Sequence, residues 1–122
     1  MNKTTELVDR YFAMWNETDA KRRRHLIASI WTESASYVDP AVEGKSQVGI
    51  DGMVKTIQER FPEHRFRRTS EVDCHHNRLR FRWELAPKDG AVLVGGTDFG
   101  ILGEDGRLQE IVGFFDQAPA VP

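Results

Sequence analysis

A chain of 122 residues with a formal charge of −2 and ordinary apolar content supports one domain built on one core. The near-balanced charge argues against nucleic acid as a partner, and no apolar run approaches the roughly 18 residues of a membrane span. The amino terminus lacks the apolar core of a signal peptide, and the lone cysteine, Cys74, cannot close an internal disulfide, so a cytoplasmic protein is expected.

Val8, Tyr11, Phe12 and Trp15 fall at helical spacing and predict a first amphipathic helix. Residues 16–19 break it, and Asp19 can cap a second helix. The buried stripe of that helix reads as Leu26, Ile27, Ile30 and Trp31, with Lys21, Arg22, Arg23 and Arg24 facing water. Thr32-Glu33-Ser34 interrupts the pattern. Residues 35–39 then read as a strand closed by Pro40, and a loop runs through Glu43-Gly44-Lys45. Ile50, Val54, Ile57 and Phe61 mark a third helix, stopped by Pro62.

The remainder reads as strands over 65–74, 78–86, 91–102 and 108–116, with turns at Lys88-Asp89-Gly90 and Glu104-Asp105-Gly106. Residues 118–122 read as a flexible tail. In 78–86 the alternation is clean: Leu79, Phe81, Trp83 and Leu85 share one face, and Arg80, Arg82 and Glu84 the other. Gly95, Gly96 and Gly100 in the next strand predict strong curvature or a close approach. Helices followed by an antiparallel meander indicate the α+β class. The last two strands are apolar on both faces. With Asp98 inward, Leu93, Phe99 and Ile101 point outward, and Val112 and Phe114 lie beside them. Such a face needs cover, and a second copy of the chain is the simplest, so a homodimer is expected.

Three residues suggest chemistry. Tyr11 lies on the apolar stripe of the first helix, Asp39 ends a strand in Tyr37-Val38-Asp39-Pro40, and Asp98 interrupts an apolar strand in Gly96-Thr97-Asp98-Phe99. A carboxylate at an apolar position is costly unless paired, protonated or used. Burial is expected to raise the pKa of Asp98, while Asp39, near a loop, is expected to stay solvated and charged. Two carboxyls in different environments, with a phenol, suit proton transfer at a carbon acid. Each also has a plainer reading: Asp39 as a turn residue, Asp98 as a bonded structural aspartate, Tyr11 as core.

The order of elements, with Tyr11-Phe12-Ala13-Met14-Trp15-Asn16, Tyr37-Val38-Asp39-Pro40, Arg80-Phe81-Arg82-Trp83-Glu84-Leu85, Gly96-Thr97-Asp98, Asp105-Gly106-Arg107-Leu108 and Gly113-Phe114-Phe115-Asp116, resembles the nuclear-transport-factor-2-like superfamily, in its polyketide-cyclase-like (SnoaL-like) branch. The resemblance spans nearly all of 1–122 as one domain. It implies a cone-shaped roll, with three amino-terminal helices packed on a strongly curved antiparallel sheet around one pocket, usually in a dimer. Within the superfamily, Arg10-Tyr11, Asp39-Pro40 and Asp98 resemble ketosteroid isomerase. That implies a cofactor-independent isomerase or cyclase acting on a small, mostly apolar carbonyl compound. Asp39 would be the general base, and Tyr11 and protonated Asp98 would donate to the enolate oxygen. The implied substrate walls are Trp15, Tyr37, Phe61, Phe66, Trp83, Ile111 and Phe115.

Alternatives are a non-catalytic binding protein with the same pocket, a dimerisation module with a vestigial pocket, and an epoxide hydrolase using an Asp-Arg-Asp set. For the last, Arg80 and Arg82 fall on the outward face. No metal is expected: His75 and His76 are adjacent, so on a strand they point to opposite faces, and no His-Glu or Cys cluster has ligand spacing. Gly95-Gly96 leads into strand, which argues against a phosphate loop.

Overall fold

The first helix, α1 (Lys3–Asn16), starts where the Asn2 side chain accepts the Thr4 backbone N–H at 2.7 Å, and it buries Val8, Tyr11, Phe12 and Trp15 as the spacing predicts. The computed structural model describes residues 2–118, so the expected tail lies, apart from Ala118, outside the described residues. Asp19 caps α2 (Ala20–Ile30) by accepting the Arg22 backbone N–H at 2.9 Å. After β1 (Trp31–Val38) and β2 (Glu43–Lys45) comes α3 (Ser46–Arg60), which buries Ile50, Met53, Val54 and Ile57. Then follow β3 (His64–Arg68), β4 (Asp73–His75), β5 (Arg78–Pro87), β6 (Val94–Leu102) and β7 (Leu108–Gln117).

The seven strands form one strongly curved sheet in the order β2-β1-β7-β6-β5-β3, with β4 paired to β5. Three helices close over its inner face and leave a half-barrel. The Asn16 side chain pins the end of α1 to the sheet by bonding both backbone groups of Phe66, at 2.9 Å each.

Several expectations need correction. The sheet is mixed, because β1 runs parallel to β7. The strand expected at 35–39 begins at Trp31, directly from α2, and a register shift between Trp31 and Ser36 absorbs the polar stretch Thr32-Glu33-Ser34. Glu43-Gly44-Lys45, read as loop, pairs with β1 as β2. Residues 65–74 form two short strands rather than one. In α2, Leu26 is only half-buried, and Arg23, expected in water, is 2 % exposed. Arg23 shares its face with Ile27 and Ile30, at the i+4 and i+7 positions. Its guanidinium donates to Asp51 Oδ1 at 2.7 Å, Glu17 O at 3.0 Å and Gln58 Oε1 at 3.1 Å, tying α2 to α3 and to the end of α1. Leu93, expected on the outer face, lies before β6 and packs against the core.

Candidate active site

Alternation along β1 turns Tyr37 inward and Val38 outward, and Asp39, one residue past the strand, turns inward again. Register does the rest. Val38 is level with Val112 on β7, and the next residue, Gly113, is level with Asp98 on β6. The two aspartates thus flank one glycine. A Cβ built on Gly113 would sit 2.8 Å from Asp98 Oδ1, 3.2 Å from Asp39 Cβ and 3.4 Å from the Tyr37 hydroxyl. Any side chain there would occupy the space in which these groups meet.

Asp98 is 2 % exposed. The Tyr11 hydroxyl donates to its Oδ2 at 2.7 Å and the Trp83 indole N–H to its Oδ1 at 2.8 Å. Gly96 makes the second bond possible: it lies opposite Trp83 in the ladder, and a Cβ at 96 would come within 2.5 Å of the indole ring. Burial pushes the Asp98 carboxyl up from 3.8 to about 7. The bonds from Tyr11 and Trp83 pull it down, and the Asp39 charge adds to the rise. An indole can only donate, whereas a phenol donates or accepts. A proton on Asp98 therefore belongs on Oδ2, shared with Tyr11. Burial also raises both phenols, Tyr11 and Tyr37, well above 10.

Asp39 is held differently. Its Oδ2 accepts the Tyr37 hydroxyl at 2.6 Å, and its Oδ1 accepts the backbone N–H groups of Ala41 at 2.8 Å and Val42 at 2.9 Å. These three bonds fix the carboxyl in place, and the residue stays partly exposed.

Beside Asp39 lies a cavity of about 110 Å³. Of the expected wall, Trp15, Tyr37, Phe61, Phe66, Trp83 and Phe115 line it, together with Asp39 and residues the sequence did not single out, Ala41, Ile57, Arg60, Leu85 and Val94. Trp15 stands at the centre of the aromatic part, with ring centroids 5.5 Å from Tyr37 and 4.8 Å from Phe66. Ile111, opposite Tyr37 across the β1–β7 ladder, is fully buried in the core and is not in the lining. Tyr11 and Asp98 are not in the lining either: the hydroxyl of one is committed to the carboxyl of the other.

Gly113 and the indole N–H of Trp83 are site features that sequence reasoning missed. A glycine inside an otherwise bulky strand, Val112-Gly113-Phe114, was the available signal for the first. Arg80 and Arg82 are exposed on the outer face, where Arg80 pairs with Asp73 at 2.9 Å. His75 and His76 lie at the surface with their Nδ1 atoms 3.0 Å apart. Among the described residues, no group of three or more His, Cys, Asp and Glu side chains is placed to hold a metal ion, and no helix is long and apolar enough to cross a membrane.

Helices closed over a strongly curved sheet around an interior cavity make the NTF2-like fold. Comparison with solved structures agrees. A candidate isomerase of the SnoaL-like family from Agrobacterium tumefaciens superposes with a TM-score of 0.90 at 40% identity, covering 96% of this chain and 100% of that one. An NTF2-like protein of unknown function from Exiguobacterium superposes at 0.72 with 22% identity, covering 92% and 99%. A candidate polyketide cyclase from Sinorhizobium meliloti superposes at 0.69 with 13% identity, covering 88% and 93%. These last two share the fold. No protein-family model and no curated protein matches the sequence. The chain belongs to the SnoaL-like family.

Proposed function

We propose that this protein is a cofactor-independent enzyme of the isomerase or cyclase type, which removes a proton next to a carbonyl in a small substrate. The observation that carries the reading is Asp39: a carboxylate fixed by three donors in the wall of an aromatic cavity. Asp39 is the base. Tyr37, bonded to it and lining the same void, is the nearest phenol to any substrate oxygen. Tyr11 and Asp98 act from behind Tyr37 in this reading, setting the local field rather than touching substrate, which differs from the oxyanion role that the resemblance implies. The relatives named as isomerase and cyclase lend support at the level of reaction type. The test is exchange of α-protons for deuterium on small ketones, followed by NMR. Asp39→Asn is expected to slow exchange by about 100-fold or more while the ligand still binds. Exchange that proceeds equally well in Asp39→Asn removes the base and with it the proposal.

A second reading, a binding protein without catalysis, is favoured by the closure of Tyr11 onto Asp98, which leaves neither free for a ligand. It predicts saturable binding of the same ketones with no exchange at any pH.

We also propose a homodimer through the outer sheet face. Val38, Val112 and Phe99 form one row across β1, β7 and β6. Phe99 and Phe114 are 43% and 54% exposed, with ring centroids 5.9 Å apart. Two hollows, of about 570 and 760 Å³, lie on this face, and Ile101 lines the first. An apolar surface of this kind is a site of association. Light scattering is expected to give a dimer, and Phe114→Glu a monomer. A wild-type monomer at micromolar concentration refutes the interface.

A further inference from the structure

The substrate of this site, we infer, carries a negative charge: the cavity beside Asp39 takes a small keto acid, whose carboxylate is received by Arg60. The inference rests on the proton-abstraction reading for the carbonyl and on separate observations for the charge. The lining contains two charged side chains, Asp39 and Arg60, and is otherwise aromatic or aliphatic apart from the Tyr37 hydroxyl. They do not neutralise one another. The three partners of Asp39 are a phenol and two backbone N–H groups, all uncharged. The ion pairs among the described residues involve Arg23, Arg67, Arg68, Arg80 and Arg107, and not Arg60. Arg60 is exposed, lines the cavity, and makes no ion pair through its guanidinium among the described residues. Its planar fork fits a carboxylate through two parallel bonds.

Size and charge balance agree. The void, about 110 Å³, is far below the roughly 300–1,000 Å³ of pockets that hold drug-sized molecules, so a keto acid of a few carbons is the right scale. Its carboxylate would be repelled by Asp39 unless it lay at another part of the wall, and Arg60 is the positive group there. Arg60, in the last turn of α3, and Asp39, just after β1, line this same void, so a small molecule held in it can face both, its anion towards the first and its acidic C–H towards the second.

The test uses pyruvate and levulinate against their uncharged counterparts, pyruvamide and levulinamide, with binding and α-proton exchange both followed by NMR. One keto acid of the pair is expected to bind at least about 10-fold more tightly than its amide. Arg60→Gln is expected to erase that preference and Arg60→Lys to keep part of it. Equal binding of acid and amide, binding of neither, or a preference that survives Arg60→Gln overturns the inference. So does an Arg60→Gln that slows exchange of acid and amide alike with binding unchanged, which would place Arg60 at the enolate. If charge preference depends on Arg60 while Asp39→Asn leaves exchange untouched, anion recognition stands and the proton-abstraction reading falls.

Discussion

Arg23 and Asp98 are the two charged side chains that the described fold buries, each 2 % exposed, and they are accommodated by opposite means. Arg23 meets a counter-ion, a carbonyl and an amide oxygen, so its charge is matched at each donor group used. Asp98 meets two neutral donors and no cation, and the charge nearest in kind is another carboxylate, Asp39. The first arrangement is a joint between helices, with a cation and an anion in direct contact. The second leaves a carboxyl poised near neutrality, because two hydrogen bonds do not offset full desolvation. Buried charge is therefore not one kind of evidence: with its counter-ion it reads as structure, and without one it reads as a group whose protonation state the fold has set.

The largest effect expected from this comparison is in pH-dependent stability. The unfolded chain releases the Asp98 proton near 3.8, and the folded chain keeps it to about 7. Between these values the folded state binds more protons, so raising the pH favours unfolding. The contribution is complete below the lower value, is lost progressively towards the upper one, and is on the order of 4 kcal/mol in total. Urea unfolding of wild type and Asp98→Asn across that window should converge on two different slopes, with the steeper loss in wild type. Parallel slopes would mean that Asp98 is ionised in the fold throughout.

Arg23→Met should cost about 3 kcal/mol, since it strands Asp51 and the Glu17 carbonyl, whereas the double change with Asp51→Leu should recover much of the loss. Unlike the Asp98 effect, this cost should be the same at pH 5 and pH 8. A pH-dependent cost would erase the distinction drawn between the two sites.

A smaller effect, about 2 kcal/mol, is expected for Gly113→Ala, because its Cβ presses on a carboxyl already held at both oxygens. The same change should shift the titration of Asp98, read from its side-chain carbon by NMR. An alanine accommodated with neither effect would show that the two aspartates do not meet over residue 113.

Local pattern carried much of this molecule. The stripes of α1 and α3, the cap at Asp19, the alternation in β5 and the inward turn of Asp98 are all set by periods of 3.6 and 2 and by short side chains at helix starts, which depend on neighbours in the chain. Arg23 was also legible, at the right spacing for burial, but its place in a run of four basic residues hid it; what it would pair with lay 28 residues away, on α3. Other features could not be read locally. The parallel pairing of β1 with β7, the level of Asp39 with Gly113, the indole of Trp83 reaching Asp98 across Gly96, and the withdrawal of Tyr11 from the cavity all depend on how distant strands register on a curved sheet. The chain alone determined which residues were costly to bury. Which of them met, and which one reached the void, was decided by the sheet, because registry and curvature are properties of strands packed together and of no strand by itself.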